Sequence, residues 1–432
     1  MNILIFTPAI KSSAIGRMAR LVTSVLKDQG HDVTIVRSEG DGYLKREPHD
    51  FGVELISWRD DRVVWAAVSR ADLVVYQIGD NFDFHEGCLH WLPGAPGVVC
   101  LHDFFLGHLF HAWKQQPGNE HRADAILRRW YGETVAKTYI EYPDNAAFIL
   151  GTKDTAPLTE WIVSQALGVI THSEGGAQRV RQSCPGPVRV IPLAYDAPGV
   201  CAASSSHAAP LFGQFNLLTI GYINQNKRVA KVIEAIAASQ SLRQNVVYRL
   251  VGHIEPHEAL RLSALANGLR VRLVISGEVS DAALAQAVNE ADAISCLRWP
   301  SLEAASASAI EAMLYGKAVM VTDTGFYREI PDDCVEKISV ENEVDNIGQA
   351  LQRFYDAPES RQRIGARARR FALQTYSVDR YASELLAMSA TVQKVRPLAK
   401  AKAHFVDVLT QWGASSDLLR DESVQSAFLI TK

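Results

Sequence analysis

Residues 293–324 read AISCLRWPSLEAASASAIEAMLYGKAVMVTDT. The opening AISCL is a short apolar run of the kind that forms a buried strand, and AVMVT near the end is another. Between them, an alanine- and serine-rich segment predicts a helix that Gly316 ends. A strand, a crossover helix and a second strand form the repeating unit of a parallel sheet, in which ligands bind where the strands end at their carboxyl side.

The predicted helix start has the properties of an anion site flanked by two carboxylates. Its first turn, residues 305–309, contains only alanine and serine, so that a ligand can approach the backbone closely. The free N–H groups and the helix dipole attract negative charge. Glu303 and Glu311 stand eight positions apart around this turn, and carboxylates accept hydrogen bonds from sugar hydroxyls. The segment therefore predicts a site for a diphosphate that carries hydroxyl groups on both sides.

Short apolar runs alternate with amphipathic stretches along the rest of the chain. Strands are predicted at Ile3–Thr7, Asp32–Arg37, Leu73–Ile78, Val98–His102, Gly168–His172 and Val188–Pro192, and then at Leu217–Tyr222, Val246–Val251, Val271–Ser276, Ala293–Leu297, Ala318–Thr322 and Val335–Ile338. Helices are predicted at Ile15–Gln29, Asp124–Glu141, Ala156–Leu167, Val229–Ser239, Pro256–Asn267, Asp281–Glu290, Ala305–Tyr315 and Glu343–Tyr355. This alternation is typical of α/β architecture.

The chain divides into two halves of the same architecture. Small residues punctuated by proline and glycine fill 196–213 and predict a linker. We expect an N-terminal domain at 1–195, a C-terminal domain at 214–390 and a helical tail at 391–432 that packs back on the first domain. The segment 107–154 is longer than an ordinary connection, and it forms either a lid or binding surface or a plain helical insertion.

The composition describes an ordinary globular chain. The 432 residues include 44 Lys and Arg against 48 Asp and Glu, a formal net charge of −4, and 47% of them are hydrophobic. These values exclude a disordered chain, a collagen-like fibre and a bulk nucleic-acid binder. The six cysteines form no C-x-x-C pair, which favours buried, reduced thiols over a zinc site or a disulfide framework.

Membrane signals are weak in this sequence. The first residues, MNILIFTPAI, lack the charged start and cleavage site of a signal peptide, and no apolar run reaches the roughly 18 residues of a membrane span. We therefore expect a cytoplasmic protein. Lys394, Arg396, Lys400 and Lys402 cluster in the tail, on either a solvated helix face or a patch for a membrane surface or an anionic acceptor. Peripheral attachment at the inner membrane face stays open.

The segment 293–324 resembles the donor site of retaining glycosyltransferases with the GT-B fold, in the family called GT4, which carries an E-x7-E motif in its second domain. The resemblance covers the whole chain as an architecture and is specific in residues 214–330. It implies two Rossmann-like, doubly wound domains that face each other across a cleft. It also implies retaining transfer of a sugar from a nucleoside diphosphate, UDP or GDP, to a glycan, glycolipid or lipid-linked acceptor. A role in bacterial surface-polysaccharide synthesis is the expected setting.

The resemblance assigns donor-binding roles to the E-x7-E segment. Glu303 matches the glutamate that contacts hydroxyls of the donor sugar, and Glu311 matches the one that holds the ribose. The backbone N–H groups of Ala305, Ser306 and Ala307 match those that bind the diphosphate. The family has glycine where this chain has Ser306, so the fit of that position is in doubt.

A second segment, LLTIGYINQNKR, matches the family's phosphate-binding loop. Lys227 matches the lysine that neutralises the diphosphate. The family often has arginine directly after the glycine, but here Tyr222 follows Gly221. We expect Arg298 to supply the second cation, with Arg228 as the fallback, since the leaving diphosphate gains charge as the glycosidic bond breaks. The backbone of Val279 is expected to lie beside the nucleobase.

The N-terminal domain is expected to bind the acceptor. The resemblance places Gly16 and Arg17 at the start of a helix that faces the cleft, and a histidine beside the sugar and acceptor. His102 is the best match for that histidine, and Asp103 follows it. Two further strand ends add polar side chains to the same sheet edge, namely His172 with Ser173, and Asp80, Asn81 and His85.

Other function classes remain as alternatives. A sugar-nucleotide 2-epimerase on the same fold would need extra acid–base groups and no acceptor. A second alternative is a non-catalytic nucleotide-sugar-binding protein, because Tyr222 stands where the family often has an arginine. A dinucleotide-dependent oxidoreductase is disfavoured, because the first strand is not followed by G-x-G-x-x-G.

No cofactor and no essential metal are expected, because the chain contains no D-x-D motif for a metal-bridged diphosphate. We predict that incubation with EDTA leaves the rate of sugar transfer unchanged. Loss of most of the activity, restored by added Mg²⁺ or Mn²⁺, would contradict this prediction.

Overall fold

The computed structural model of the chain describes residues 1–139, 141–197 and 214–412. The predicted linker lies outside the described residues from 198 onward, and so does the tail beyond 412. The side chains of Lys400 and Lys402, two members of the predicted basic cluster, are also outside the description.

The first sheet has seven parallel strands in the order β3-β2-β1-β4-β5-β6-β7. Along β1, Ile3 and Ile5 face one apolar core whereas Leu4 and Phe6 face another, because both sides of the sheet are covered by helices. The strands are β1 Asn2–Thr7, β2 Asp32–Arg37, β3 Glu54–Ser57, β4 Leu73–Ile78, β5 Val98–Leu101, β6 Gly168–Thr171 and β7 Val188–Val190.

The second sheet has six parallel strands in the order β10-β9-β8-β11-β12-β13. These strands are β8 Phe215–Ile220, β9 Val246–Val251, β10 Arg272–Ile275, β11 Ala293–Cys296, β12 Ala318–Thr322 and β13 Glu336–Ile338. The strand order reverses beside the first strand of each sheet, which is where doubly wound folds bind ligands.

Helices connect the strands of both sheets. In the first half of the chain they are α1 Ala14–Asp28, α2 Asp41–Leu44, α3 Asp61–Arg70, α4 Phe82–Trp91, α5 Gly107–Lys114, α6 Glu120–Thr138, α7 Asn145–Thr152, α8 Thr159–Val163 and α9 Ala177–Ser183. In the second half they are α10 Val229–Ala238, α11 Gln240–Asn245, α12 Pro256–Gly268, α13 Asp281–Glu290, α14 Ala307–Leu314, α15 Glu343–Asp356, α16 Pro358–Thr375 and α17 Val378–Gln411. Short 3-10 turns lie at Gln225–Lys227 and Gly325–Glu329.

The predicted α/β architecture with two doubly wound sheets is confirmed, and the differences are local. Strand β3 was not predicted, because it is a half-buried edge strand with only weak apolar alternation. The helix predicted at Ala156–Leu167 is wrong in extent, since only Thr159–Val163 is helical. Pro157 precedes it, and Leu158 has a φ of 65°, so the helix cannot begin earlier.

Helix α17 returns from the second half of the chain to the first sheet. Its residues Tyr381, Leu385 and Met388 are buried in the same core as Ile3 and Ile5. The Tyr381 hydroxyl lies 3.3 Å from the Cys100 sulfur of β5. The contacts named here precede residue 391, so the domain boundaries and the docking of the predicted tail stay predictions.

The close packing of two strand ends in the second sheet, at Gly221 and Gly252, can be tested by substitution. Gly252 has a φ of 131°, and a Cβ there would lie 2.1 Å from the carbonyl oxygen of Gly221 at the end of β8. We predict that Gly252→Ala lowers the free energy of unfolding by at least about 1–3 kcal/mol, because the backbone strain alone costs that much. A thermal melt measures the effect.

Gly268 is the matched control in the same domain, because a Cβ there would have no neighbour within 4 Å. Gly268→Ala should melt at the wild-type temperature or slightly above it, since alanine favours the helix. Equal melting temperatures for the two variants would contradict the prediction.

Candidate active site

The carboxyl ends of the two sheets meet through backbone hydrogen bonds. The Phe104 N–H donates to the Leu302 carbonyl at 2.8 Å, and the Ala304 N–H donates to the His102 carbonyl at 2.7 Å. This short antiparallel pairing brings Asp103 of the first domain opposite Glu303 of the second. We call residues 102–104 and 302–304 the interdomain pairing. The polar residues predicted from both halves of the chain are thus brought to one place.

Two side-chain contacts extend the interdomain pairing. The Ser173 hydroxyl donates to the Ala304 carbonyl at 2.6 Å. One carboxylate oxygen of Glu329 accepts the N–H groups of Glu174 and Gly175 at 2.7 and 3.2 Å. The end of β6 is therefore tied to the second domain beside β5.

Helix α14 begins at Ala307, two residues later than predicted, because Ser306 is its N-cap. The Ser306 side chain accepts a hydrogen bond from the Ala309 N–H and lies 3.2 Å from the Ser308 hydroxyl. A serine in place of glycine therefore serves the local helix start. The N–H groups of residues 305–307 precede or begin the helix, as an anion site requires.

Glu303 is held by two donors of its own domain. Its Oε1 accepts a hydrogen bond from Arg298 Nε at 3.0 Å and another from the Tyr327 hydroxyl at 2.9 Å. The Arg298 backbone N–H in turn donates to the Thr322 hydroxyl at the end of β12. Sequence reasoning did not identify Tyr327, which lies in a short turn without a recognisable motif.

Lys227 is buried beneath the end of β8. Its Nζ donates to the Ile220 carbonyl at 2.5 Å, and a Cβ on Gly221 would lie 3.5 Å from that nitrogen. Burial lowers the pKa of the Lys227 ammonium to about 7, and the neighbouring Arg298 guanidinium adds to the effect. An incoming diphosphate would reverse this shift, because it stabilises the charged amine.

The residues beside Lys227 have other partners. Arg228, the fallback cation, forms an ion pair with Glu343 through two nitrogens. Tyr222 is half exposed and stacks on His253 with ring centroids 5.4 Å apart. Val279 is 39% exposed at the loop after β10, which leaves its backbone open to a ligand.

Glu311 faces residues of the first domain and the interdomain segment. Its Oε2 accepts a hydrogen bond from the Tyr195 hydroxyl at 3.1 Å and lies 4.0 Å from an Arg17 nitrogen. Arg17 also forms an ion pair with Asp196 at 2.8 Å and lies over the Tyr195 ring. Burial raises the pKa of Glu311, while Arg17 and Tyr195 oppose that rise. Sequence reasoning did not identify Tyr195, which follows β7 outside any motif.

Arg17 lies beside Glu311, the carboxylate predicted to hold the ribose. Gly16 has a packing reason of its own, because a Cβ there would lie 2.3 Å from the Pro8 carbonyl oxygen. The predicted acceptor roles of both residues stay predictions.

The predicted histidines form a buried cluster under the sheet edge. His102 and His172 have ring centroids 4.8 Å apart, and His102 Nε2 lies 2.7 Å from the Gln77 side-chain oxygen. Burial lowers the pKa of His102 well below its usual value, and His172 contributes to the shift. Burial also lowers the pKa of His172 to about 4 and that of His85 to about 3. All three are therefore neutral at pH 7.

Asp103 lies beside a second carboxylate that sequence reasoning placed at the same edge. Its Oδ2 accepts the backbone N–H of Asp80 at 2.8 Å. Burial raises the pKa of the Asp103 carboxyl to about 7, and the charge of Asp80 raises it further. The arrangement can accept hydrogen bonds from hydroxyl groups and can hold a proton near neutral pH.

The described residues contain no candidate for a metal centre or a membrane span. No group of three or more His, Cys, Asp or Glu side chains there is arranged to hold a metal ion. Among the same residues, no helix combines the length and the apolar character that crossing a membrane requires.

The second half of the chain is similar in sequence to known proteins. Residues 210–371 match the family model described as glycosyl transferases group 1. The MMP alpha-(1->4)-mannosyltransferase of Mycolicibacterium hassiacum is 27% identical over 165 residues, which are 38% of this chain and 39% of that enzyme. The match thus spans well under half of the relative's length.

Solved structures extend the similarity to both domains. A glycosyltransferase from Rickettsia africae superposes with a TM-score of 0.63 at 15% identity, over 91% of this chain and 98% of that one. The Anabaena protein HepE, solved with UDP and glucose, gives 0.59 at 14% identity over 90% and 99%. WaaG, a glycosyltransferase involved in lipopolysaccharide biosynthesis, gives 0.58 at 17% identity over 89% and 99%. The predicted GT-B fold is confirmed.

The buried lysine gives a pH-dependent prediction. The pKa of Lys227 is about 7 without ligand, and a bound diphosphate raises it by stabilising the charged form. Binding therefore takes up a proton above pH 7. The affinity for a nucleoside diphosphate should fall as the pH rises from about 7 to about 9, by up to about tenfold per pH unit. Titration calorimetry at several pH values measures this slope.

Lys227→Ala serves as the comparison, because it removes the titrating amine. We expect weaker binding by this variant and a flat pH dependence in the same range. A flat profile for the wild type, or the same slope in both proteins, would contradict the assignment.

Proposed function

We propose that this chain is a retaining glycosyltransferase, since residues 210–371 match the family model described as glycosyl transferases group 1. It moves a sugar from a nucleoside-diphosphate donor to an acceptor hydroxyl. One observation supports this most strongly. Glu303 and Glu311 flank the start of α14, and Lys227 and Arg298 lie close enough to interact electrostatically at the same sheet edge. Carboxylates for hydroxyls and cations for phosphates are thus combined in one cleft.

The proposed donor site uses each group according to its chemistry. The N–H groups of Ala305, Ser306 and Ala307 bind the diphosphate at the start of α14. Glu311 accepts hydrogen bonds from the ribose, while Glu303 orients the sugar. Glu303 suits that role because Arg298 and Tyr327 both hold its Oε1. The backbone at Val279 lies beside the nucleobase, and Gly221 and Tyr222 border the phosphates.

The proposed reaction needs positioning and charge stabilisation rather than a protein nucleophile. The bond between the anomeric carbon and the phosphate oxygen breaks as the acceptor oxygen bonds to that carbon from the same face. The acceptor proton passes to the departing phosphate oxygen, and anomeric configuration is retained. Lys227, Arg298 and the start of α14 stabilise the charge that gathers on the diphosphate. His102, neutral and fixed by Gln77, lies beside the sugar and shapes the acceptor site.

The interdomain pairing supports a second part of the mechanism. Donor and acceptor carboxylates come from different domains, so that the reaction site is complete only when the domains approach each other. Approach of the domains also excludes water, which limits hydrolysis of the donor.

The similar proteins indicate which classes of donor and acceptor this chain uses in the proposed reaction. HepE, which shares the fold, was solved in complex with UDP and glucose, and the relative from Mycolicibacterium hassiacum is a mannosyltransferase. The HepE complex favours a UDP-linked donor, and a GDP-linked donor stays the alternative. WaaG acts in lipopolysaccharide biosynthesis, which favours a bacterial surface glycan or glycolipid acceptor. The cysteines of the described residues are free thiols, in keeping with a cytoplasmic enzyme.

A second candidate, a sugar-nucleotide 2-epimerase, is favoured by one observation. Asp103 is a partly buried carboxyl with a pKa of about 7, which suits an acid–base group. Incubation of the sugar nucleotide without acceptor separates the two functions, because only an epimerase would convert the donor into its 2-epimer.

The proposed function is tested by titrating the protein with UDP, GDP, ADP, CMP and NAD in a calorimeter. We predict that one nucleoside diphosphate binds tightly. Glu311→Ala and Lys227→Ala should each weaken binding by roughly tenfold or more, since a hydrogen bond to a charged group contributes about 1.5–3 kcal/mol.

Lys231→Ala and Glu234→Ala are matched controls. These two side chains form a partly exposed ion pair within α10, so that neither change should alter the affinity. Binding of NAD alone, or of none of the nucleotides, would overturn the proposed function.

A further inference from the structure

The helical segment that follows β5 contributes two side chains to the sheet edge. His108, on α5, has its Nδ1 2.5 Å from Asp80 Oδ2. Its Nε2 lies 2.8 Å from the side-chain oxygen of Asn145, at the start of α7. Because a carboxylate only accepts hydrogen bonds, the imidazole donates to Asp80. Burial alone would lower the pKa of His108, but the bond to Asp80 outweighs it and the pKa is raised.

Asp80 is fixed on both carboxylate oxygens. Its Oδ1 accepts the Leu109 N–H at 2.8 Å, and its Oδ2 is bound by His108. Its own N–H donates to Asp103, which faces Glu303 in the interdomain pairing. The pair Asp80–His108 is therefore linked by two short steps to the carboxylate proposed to orient the donor sugar.

Gly79 allows this close approach. A Cβ there would lie 2.9 Å from Asp103 Oδ2 and 3.0 Å from a methyl group of Ile15 on α1. Without a side chain at this position, the end of β4 lies directly against Asp103. The end of β4 is thus tightly packed against Asp103 and α1.

These groups remain partly open to solvent. The exposed fraction of the side chain is 38% for His108, 11% for Asp80 and 15% for Glu303. Oxygen atoms with fixed positions therefore border the cleft on its acceptor side, where they can accept hydrogen bonds from hydroxyl groups.

Two guanidinium groups near this edge already have partners. Arg298 is bound to Glu303, and Arg17 is bound to Asp196 and Tyr195. An anionic group on the acceptor would meet the carboxyl oxygens of Asp80 and Asp103 at this edge, which do not attract negative charge, whereas a hydroxyl group can donate hydrogen bonds to them.

We propose, on the basis of the proposed function, that the Asp80–His108 pair positions the acceptor and that the reacting end of the acceptor is an uncharged polyol, such as a neutral sugar. His108 acts here as a positioning residue for Asp80.

The test uses the full chain and the sugar nucleotide of whichever diphosphate binds in the titration. Three acceptors of similar shape are compared: methyl α-glucoside, glucuronic acid and glucose 6-phosphate. We expect kcat/KM for the neutral glucoside to exceed that of either anion by about tenfold or more. A preference for an anion, or no transfer to the glucoside while the donor binds, would overturn the inference. Failure of donor binding would instead count against the proposed function.

Three variants test the positioning role. His108→Leu removes the donor to Asp80, and we expect it to raise the KM for the acceptor about tenfold and to lower the melting temperature, with donor affinity unchanged. His108→Asn retains an amide donor near the Nδ1 position and should restore most of the acceptor affinity. His31→Leu, at the opposite edge of the same sheet, is the control. An unchanged acceptor KM in His108→Leu would overturn the role of His108.

Discussion

The structure depends on a short antiparallel backbone pairing between two parallel sheets. Residues 102–104 follow strand β5 of the first sheet, and residues 302–304 lead into α14, the helix at the proposed donor site. Each sheet brings its own polar strand ends to a common edge, since parallel strands all finish on the same side. The pairing then sets Asp103 opposite Glu303. Neither domain alone contains both carboxylates, so the proposed chemistry depends on the contact between them.

Charge is distributed unevenly across this edge, and burial decides how each group behaves. On the second domain, Lys227 is buried without a carboxylate as its hydrogen-bond partner, and its pKa falls to about 7. On the first domain, Asp103 lies partly buried beside Asp80, and its pKa rises to about 7. A diphosphate would stabilise the first group and hydroxyl groups would satisfy the second. The electrostatics of the cleft are therefore those expected of a phosphate site that faces a hydroxyl site.

Much of the fold could be predicted from the sequence, because buried parallel strands are near-continuous apolar runs. Strand β9 at Val246–Val251 and strand β12 at Ala318–Thr322 were predicted to the residue. The half-buried edge strand β3 was not, since it lacks that pattern. The E-x7-E segment predicted two carboxylates of the donor site, and the structure places Glu303 in the interdomain pairing and Glu311 in α14. Tyr195, Tyr327 and His108 could not be found in this way, since each reaches the site through tertiary contacts and not through local spacing.

The central claim is that the diphosphate of a sugar nucleotide binds at the start of α14, between the two domains. A crystal structure with the preferred nucleoside diphosphate tests it most directly. The account predicts phosphate oxygens within hydrogen-bond distance of the N–H groups of residues 305–307 and of Lys227 Nζ, with the ribose on Glu311. A diphosphate bound elsewhere, with these groups unchanged from the arrangement described above, would contradict the account.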